Sequence, residues 1–262
     1  MDVAALLAVL DELAPPKLAE PWDNVGLLVG DPSRALTRAL LAIDYTPAVA
    51  REAREGGFEA VVAYHPPVFQ GLKRVLAGTA VYDAVRDGVA LYAPHTALDI
   101  AEGGTNDVLA DLVGMTSRAP VKVLTDARAR LSERPLGLGR IGPVEPVERA
   151  ELLQRIKAGL GVGALLVAGP TEGVVRSVAV GAGACGDLLD DVLARGAGLY
   201  LTGELRHHDA LKAAAAGLTV VCALHSNSER VTLPRLAERL RERLPALEVR
   251  VSAEDRDPFG VR

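Results

Sequence analysis

The spacing of apolar residues changes several times along the chain, and each change marks an element. Val3, Leu6, Leu7, Leu10 and Leu13 recur at helical intervals, and Asp2 is placed to cap that helix. Pro15-Pro16 stops it. Around residues 39–43, 58–64 and 89–94 the apolar residues run together, which predicts strands. Between them, Thr46-Pro47 opens a helix that Gly56-Gly57 closes, and another helix is expected near Thr79 to Arg86. Thr105-Asn106-Asp107 begins a further helix, with acid in its first turn. This alternation is that of a βαβ-type sheet. Residues 116–145 break it with short strand-like runs and Pro and Gly turns, so a domain crossing is expected there. From Val147 the alternation resumes, with strands at 164–168, 174–180, 198–202, 218–224 and 247–251. The expectation is an α/β fold in two halves.

Three strands end in histidine. His65 follows 58–64, His95 follows 89–94 with Asp99 four residues later, and His225 follows 218–224 with Glu229 four residues later. Ser226 or Asn227 is placed to cap the helix that carries Glu229. One histidine beside a helix carboxylate reads as a satisfied core residue. Here three of five histidines share that position, and the other two are the pair His207-His208. Imidazole and carboxylate at the carboxyl ends of strands are the donor set of a zinc, manganese or iron site.

Composition narrows the partners. The 262 residues are 49% hydrophobic and 24% charged, which is globular and leaves ample material for a core. The net charge of −5 comes without a basic stripe, so nucleic acid is not expected as a partner. Cys185 and Cys222 lie in apolar patterns and read as buried free thiols. No signal peptide and no membrane-length apolar run is visible, so a cytoplasmic protein is expected. Trp22, the one tryptophan, reads as a packing anchor ahead of a ligand-stacking residue. Asp23-Asn24 can cap, turn, or bond a substrate.

Gly181-Ala182-Gly183-Ala184-Cys185-Gly186 matches the dinucleotide fingerprint in form, and Glu204 lies about twenty residues on. Too little chain follows for a full dinucleotide fold, and the histidines would go unexplained. The glycines then serve a tight turn against the next helix, with an anion or phosphate contact at that helix N-terminus as the alternative, and no cofactor-binding loop is assigned.

The motifs, taken together, resemble the NGG-interacting-factor-three-like family, also called GTP cyclohydrolase I type 2 homologues. They are Pro21-Trp22-Asp23-Asn24-Val25-Gly26-Leu27, Tyr64-His65-Pro66-Pro67-Val68-Phe69, His95 through Asp99, Thr105-Asn106-Asp107, Gly137-Leu138-Gly139-Arg140, Thr202-Gly203-Glu204 with His207-His208, His225 through Glu229, and Asp255-Arg256-Asp257-Pro258. The resemblance implies two related α/β domains with mixed sheets flanked by helices. Domains of 1–125 plus 230–262 and of 126–229 follow, with no inserted middle domain. It also implies a homohexamer and a dinuclear metal centre held by His65, Asp99, His225 and Glu229, with Glu229 bridging. Bacterial members usually carry two adjacent histidines where this chain has Tyr64-His65, so Tyr64 stands as the candidate fifth ligand.

Such a pair of divalent ions supports hydrolysis, and the resemblance suggests a purine nucleotide as the small-molecule substrate. His95 and His208 are then candidates for a proton relay, and Glu204 for a base or an orienting residue. A non-catalytic metal-binding, regulatory or scaffold protein is the alternative.

Overall fold

A computed structural model describes residues 1–260. In chain order the strands are β1 (Gly26–Val29), β2 (Arg38–Ala42), β3 (Ala60–Ala63), β4 (Ala90–Ala93), β5 (Lys122–Val123), β6 (Gly137–Leu138), β7 (Arg140–Glu148), β8 (Leu166–Ala168), β9 (Val174–Gly181), β10 (Leu199–Thr202), β11 (Thr219–Cys222) and β12 (Glu248–Val251). The helices are α1 (Val3–Leu13), α2 (Pro47–Glu55), α3 (Ala80–Asp87), α4 (His95–Ile100), α5 (Thr105–Val113), α6 (Arg149–Gly159), α7 (Leu189–Ala194), α8 (His207–Ala215), α9 (His225–Arg230) and α10 (Thr232–Arg243). Internal contacts divide the chain into two units, Met1–Ala101 with Leu233–Arg256, and Glu102–Thr232 with the residues from Asp257 onward.

The first unit holds one mixed sheet in the order β1-β4-β3-β2-β12. Its last four strands run parallel, and β1 is antiparallel to β4. Every residue of β3 and β4 is buried, because a central parallel strand is covered on both faces and needs an unbroken apolar run. Leu40, Val49, Ala53, Phe58, Val61 and Leu91 form part of its core. The helix starts are local chemistry. Asp2 accepts from the Ala5 N–H at 3.0 Å, and Thr46 and Thr79 accept from the N–H groups of Val49 and Tyr82. Each satisfies a donor that the first turn leaves over.

The second unit holds the sheet β7-β9-β10-β11-β8, with β9, β10 and β11 parallel and both edges antiparallel. Val178, Val180, Leu199, Leu201 and Val221 belong to one core cluster, while Ala179, Tyr200 and Val220 belong to another. Successive residues thus face opposite sides, and both faces are covered. Each fully buried Leu or Val contributes about 1.5–3 kcal/mol.

Helix α5 packs against β7, β9 and α6 within this unit. Asp107 of α5 pairs with Arg140 of β7 at 2.6 Å, both side chains being almost wholly buried. The Asn106 carboxamide oxygen accepts from the Ala182 N–H at 3.0 Å. The Thr105-Asn106-Asp107 and Gly137–Arg140 motifs therefore work on each other and on the loop after β9. At Gly139, φ is +61° and a Cβ would fall 2.8 Å from the Val180 carbonyl, so only glycine serves.

Candidate metal centre

In the first unit, three consecutive parallel strands each deliver a polar side chain just past their carboxyl ends. They are Asp44 after β2, His65 after β3 and His95 after β4. The His65 Nδ1 lies 2.9 Å from Asp44 Oδ1, and the His95 Nδ1 lies 2.8 Å from Asp23 Oδ1. A carboxylate on Nδ1 keeps the proton there and puts the lone pair on Nε2, as in histidines that ligate metals.

Asp23 is closed off from solvent and also accepts from Thr96 Oγ1 and from the N–H groups of Thr96 and Asn24. Burial alone would raise its pKa. The bonds from His95 and Thr96, the electrostatic attraction of the His95 ring and the Asn24 N–H together outweigh burial and hold the carboxyl below its usual range. The His65 and His95 rings lie 5.3 Å apart, close to perpendicular, and the Tyr64 ring meets both edge-on. Tyr64 is fully buried, and its hydroxyl donates to Asp99 Oδ1. Asp99 lies one turn along α4 from His95.

The second unit repeats the device. The loop after β9 carries Gly183, Glu204 follows β10, and His225 follows β11. The Glu204 carboxylate bonds His225 Nδ1, and His225 Nε2 lies 3.2 Å from Glu229 Oε1. Glu229 is buried, its side chain only 4% exposed. A Cβ on Gly183 would fall 2.8 Å from Glu229 Oε1 and 3.2 Å from His225 Nε2, and φ there is +68°. A Cβ on Gly203 would fall 2.6 Å from the Gly183 carbonyl. Ser228 Oγ accepts from the Gly183 N–H and donates to the His225 carbonyl, fastening the loop to α9. Of the fingerprint-like glycines, Gly183 thus makes room at His225 and Glu229.

Two expectations change. Neither Ser226 nor Asn227 caps α9, which begins at His225 itself. Leu224 precedes it at φ 70°, ψ 153°, a conformation that is essentially glycine's, and this turns the imidazole into place. Ser226 bonds Asp257 instead, and Asn227 bonds the Ala223 carbonyl. Trp22 is no packing anchor, since 59% of it is exposed.

Tyr64, His65, His95 and Asp99 come together in one unit, and Glu204, His225 and Glu229 in the other. His208 is exposed at the start of α8, its ring against His207 at 5.4 Å. Asp44 was missed from sequence, and so was the pairing of Asp23 with His95. The signal available for Asp44 was its offset, two residues past β2 just as His65 is two past β3.

The donors fit a divalent cation. Imidazoles with Nδ1 held by a carboxylate, and a buried carboxylate in a space kept open by glycine, are what such an ion needs. Fold and side chains define an α/β protein with carboxylate-backed histidines at the ends of parallel strands. The model for Duf34/NIF3 (NGG1p interacting factor 3) matches residues 1–258, and the chain belongs to that family.

The chain is 32% identical over 265 residues to a Clostridium perfringens protein named GTP cyclohydrolase 1 type 2 homolog, covering 99% of both. It is 35% identical over 270 residues to the Schizosaccharomyces pombe protein NIF3 homolog, covering 97% of this chain and 96% of that one. The crystal structure of a Bacillus cereus protein related to NIF3 superposes with a TM-score of 0.91 at 21% identity, covering 100% and 99% of the two chains. Among the described residues, no helix is long and apolar enough to cross a membrane.

Proposed function

We propose that the chain is a metal-dependent hydrolase in which His65, Asp99, His225 and Glu229 hold two divalent ions of zinc, manganese or iron. The observation that carries this reading is the carboxylate on Nδ1 of both His65 and His225, which supports Nε2 as the ligand nitrogen. His65, His225 and Glu229 each offer a ligand atom. Bound there, such ions lower the pKa of water towards about 7 and polarise a substrate oxygen.

The protein's own groups have separate tasks. Glu204 orients His225, Asp44 orients His65, and Tyr64 orients Asp99 by taking up one of its oxygens. Asp23 holds His95 with its Nε2 able to accept or donate a proton. The name carried by the Clostridium perfringens relative supports a purine nucleotide as substrate, opened at its ring by hydrolysis. The homohexamer rests on family resemblance, and a cytoplasmic location is proposed with it.

A second reading, a non-catalytic metal-binding or scaffold protein, is favoured by one observation. Tyr64 spends its hydroxyl on Asp99, where a second imidazole would have added a ligand. The deciding experiment is nucleotide turnover by metal-loaded protein alongside elemental analysis. Hydrolysis of GTP that disappears in Asp99→Ala and His225→Ala supports the hydrolase. Full activity in His225→Ala sinks it, and two bound metals without turnover favour the second reading.

A further inference from the structure

Aromatic residues are only 3% of this chain. Tyr64, Tyr92, Tyr200 and Phe58 are buried, yet Trp22 is 59% exposed and Phe69 is 46% exposed. Trp22 and Phe69 are neighbours, with centroids 6.0 Å apart and planes tilted by 47°. Trp22 also meets His95 edge-on, at 6.0 Å. An open aromatic pair thus continues the imidazole cluster outward from the strand ends.

The pair is held in place. The Glu20 N–H donates to Thr96 Oγ1 at 3.0 Å, and Asp23 bonds His95 and Thr96, so Trp22 is anchored on both sides. The Asn24 carboxamide donates to the Val68 carbonyl, next to Phe69. Pro66-Pro67 stiffens the approach to Phe69. Rings fixed in advance lose little freedom when a ligand covers them.

We propose that Trp22 and Phe69 form a stacking platform for the flat heteroaromatic ring of the substrate, with His95 at its inner edge. This rests on the hydrolase reading for the role of His95, and it names the ring as the part recognised here. Stacking accepts any flat heterocycle, because every base has a π-face. The platform therefore selects a class of ring, and the chemistry would come from the ions held by the metal ligands.

Because Trp22 is the one tryptophan, intrinsic fluorescence reports on this site alone. Metal-loaded protein is titrated with guanosine, GTP and inorganic triphosphate. Saturable quenching by guanosine and GTP, and none by triphosphate, is the expected result. In equilibrium dialysis, Trp22→Ala weakens GTP binding by about 5- to 150-fold, with metal content unchanged and with recovery in Trp22→Phe.

Quenching by triphosphate alone, or unaltered GTP affinity in Trp22→Ala, overturns the platform. So does a concentration-dependent blue shift that ligands do not alter, which would mean that protein covers the pair. GTP binding of the expected kind without turnover leaves the platform standing and fails the hydrolase reading. Turnover without quenching does the reverse.

Discussion

The Tyr64 hydroxyl donates to Asp99 Oδ1, joining the residue just past β3 to the helix that opens with His95. Tyr64→Phe removes this donor and leaves the ring in its buried place. The loss costs about 1 kcal/mol of stability and removes one hydrogen bond that positions the Asp99 carboxylate. Elemental analysis should show less metal per chain in Tyr64→Phe than in wild type. Tyr64→His should show more, since it adds an imidazole. Equal metal in all three proteins would mean that Tyr64 has no part in the site.

Gly183 tests the second unit. Its φ of +68° and the 2.8 Å approach of a built Cβ to Glu229 Oε1 act together. Gly183→Ala should cost about 1–3 kcal/mol in denaturant unfolding from backbone strain and also weaken zinc binding. Gly161 has φ +66° with nothing within 4 Å of a built Cβ. Gly161→Ala should therefore lose a similar amount of stability and leave zinc affinity unchanged.

The Asp107–Arg140 pair is buried and bonded further, with Arg140 Nη1 also donating to the carbonyls of Gly137 and Gly139. Arg140→Ala leaves the buried Asp107 carboxylate with the Gly103 N–H at 2.6 Å and Arg118 at 3.7 Å, so it should cost about 3 kcal/mol by chemical denaturation, the low end for a broken buried pair. Replacing both partners with apolar residues should cost less than Arg140→Ala alone. A larger cost for the double change would show that the charges contribute more than their desolvation takes away.

Asp23 gives the acid limb a definite sign. Its folded pKa lies below the ordinary value, so ionised Asp23 contributes stability that is fully present above the unfolded pKa of about 3.9. That contribution is lost as pH falls through the folded value. Asp23→Asn should be less stable at neutral pH and show a shallower decline below about pH 4. Parallel acid-denaturation curves for the two proteins would contradict this.

Much of the framework was legible because its causes are local. The runs ending at Tyr64, Pro94 and Leu224 have no polar alternation, and Asp2, Thr46 and Thr79 announce helix starts by side-chain chemistry. The three strand-end histidines were legible because each follows an apolar run.

The partners of those histidines were harder to see. Asp44 lies 21 residues from His65 and Asp23 lies 72 residues from His95, so only sheet order brings them together. The starts of α4 and α9 were hidden for another reason. His95 at φ 30° and Leu224 at φ 70° take conformations that neither residue type advertises. The passage between units was equally quiet. Helix α5 belongs with β7 and β9 through Asn106 and Asp107, whose partners lie far along the chain.

Leu224 has a practical consequence for anyone engineering this protein. Its backbone strain, about 1–3 kcal/mol, is a reserve that stability-guided redesign would find and remove. Leu224→Gly should keep or raise the melting temperature while loosening zinc, because the relaxed chain no longer obliges His225 to face Glu229. Calorimetry and zinc competition on that one variant would show the two properties moving in opposite directions. Selection for heat tolerance alone would therefore drift away from metal binding.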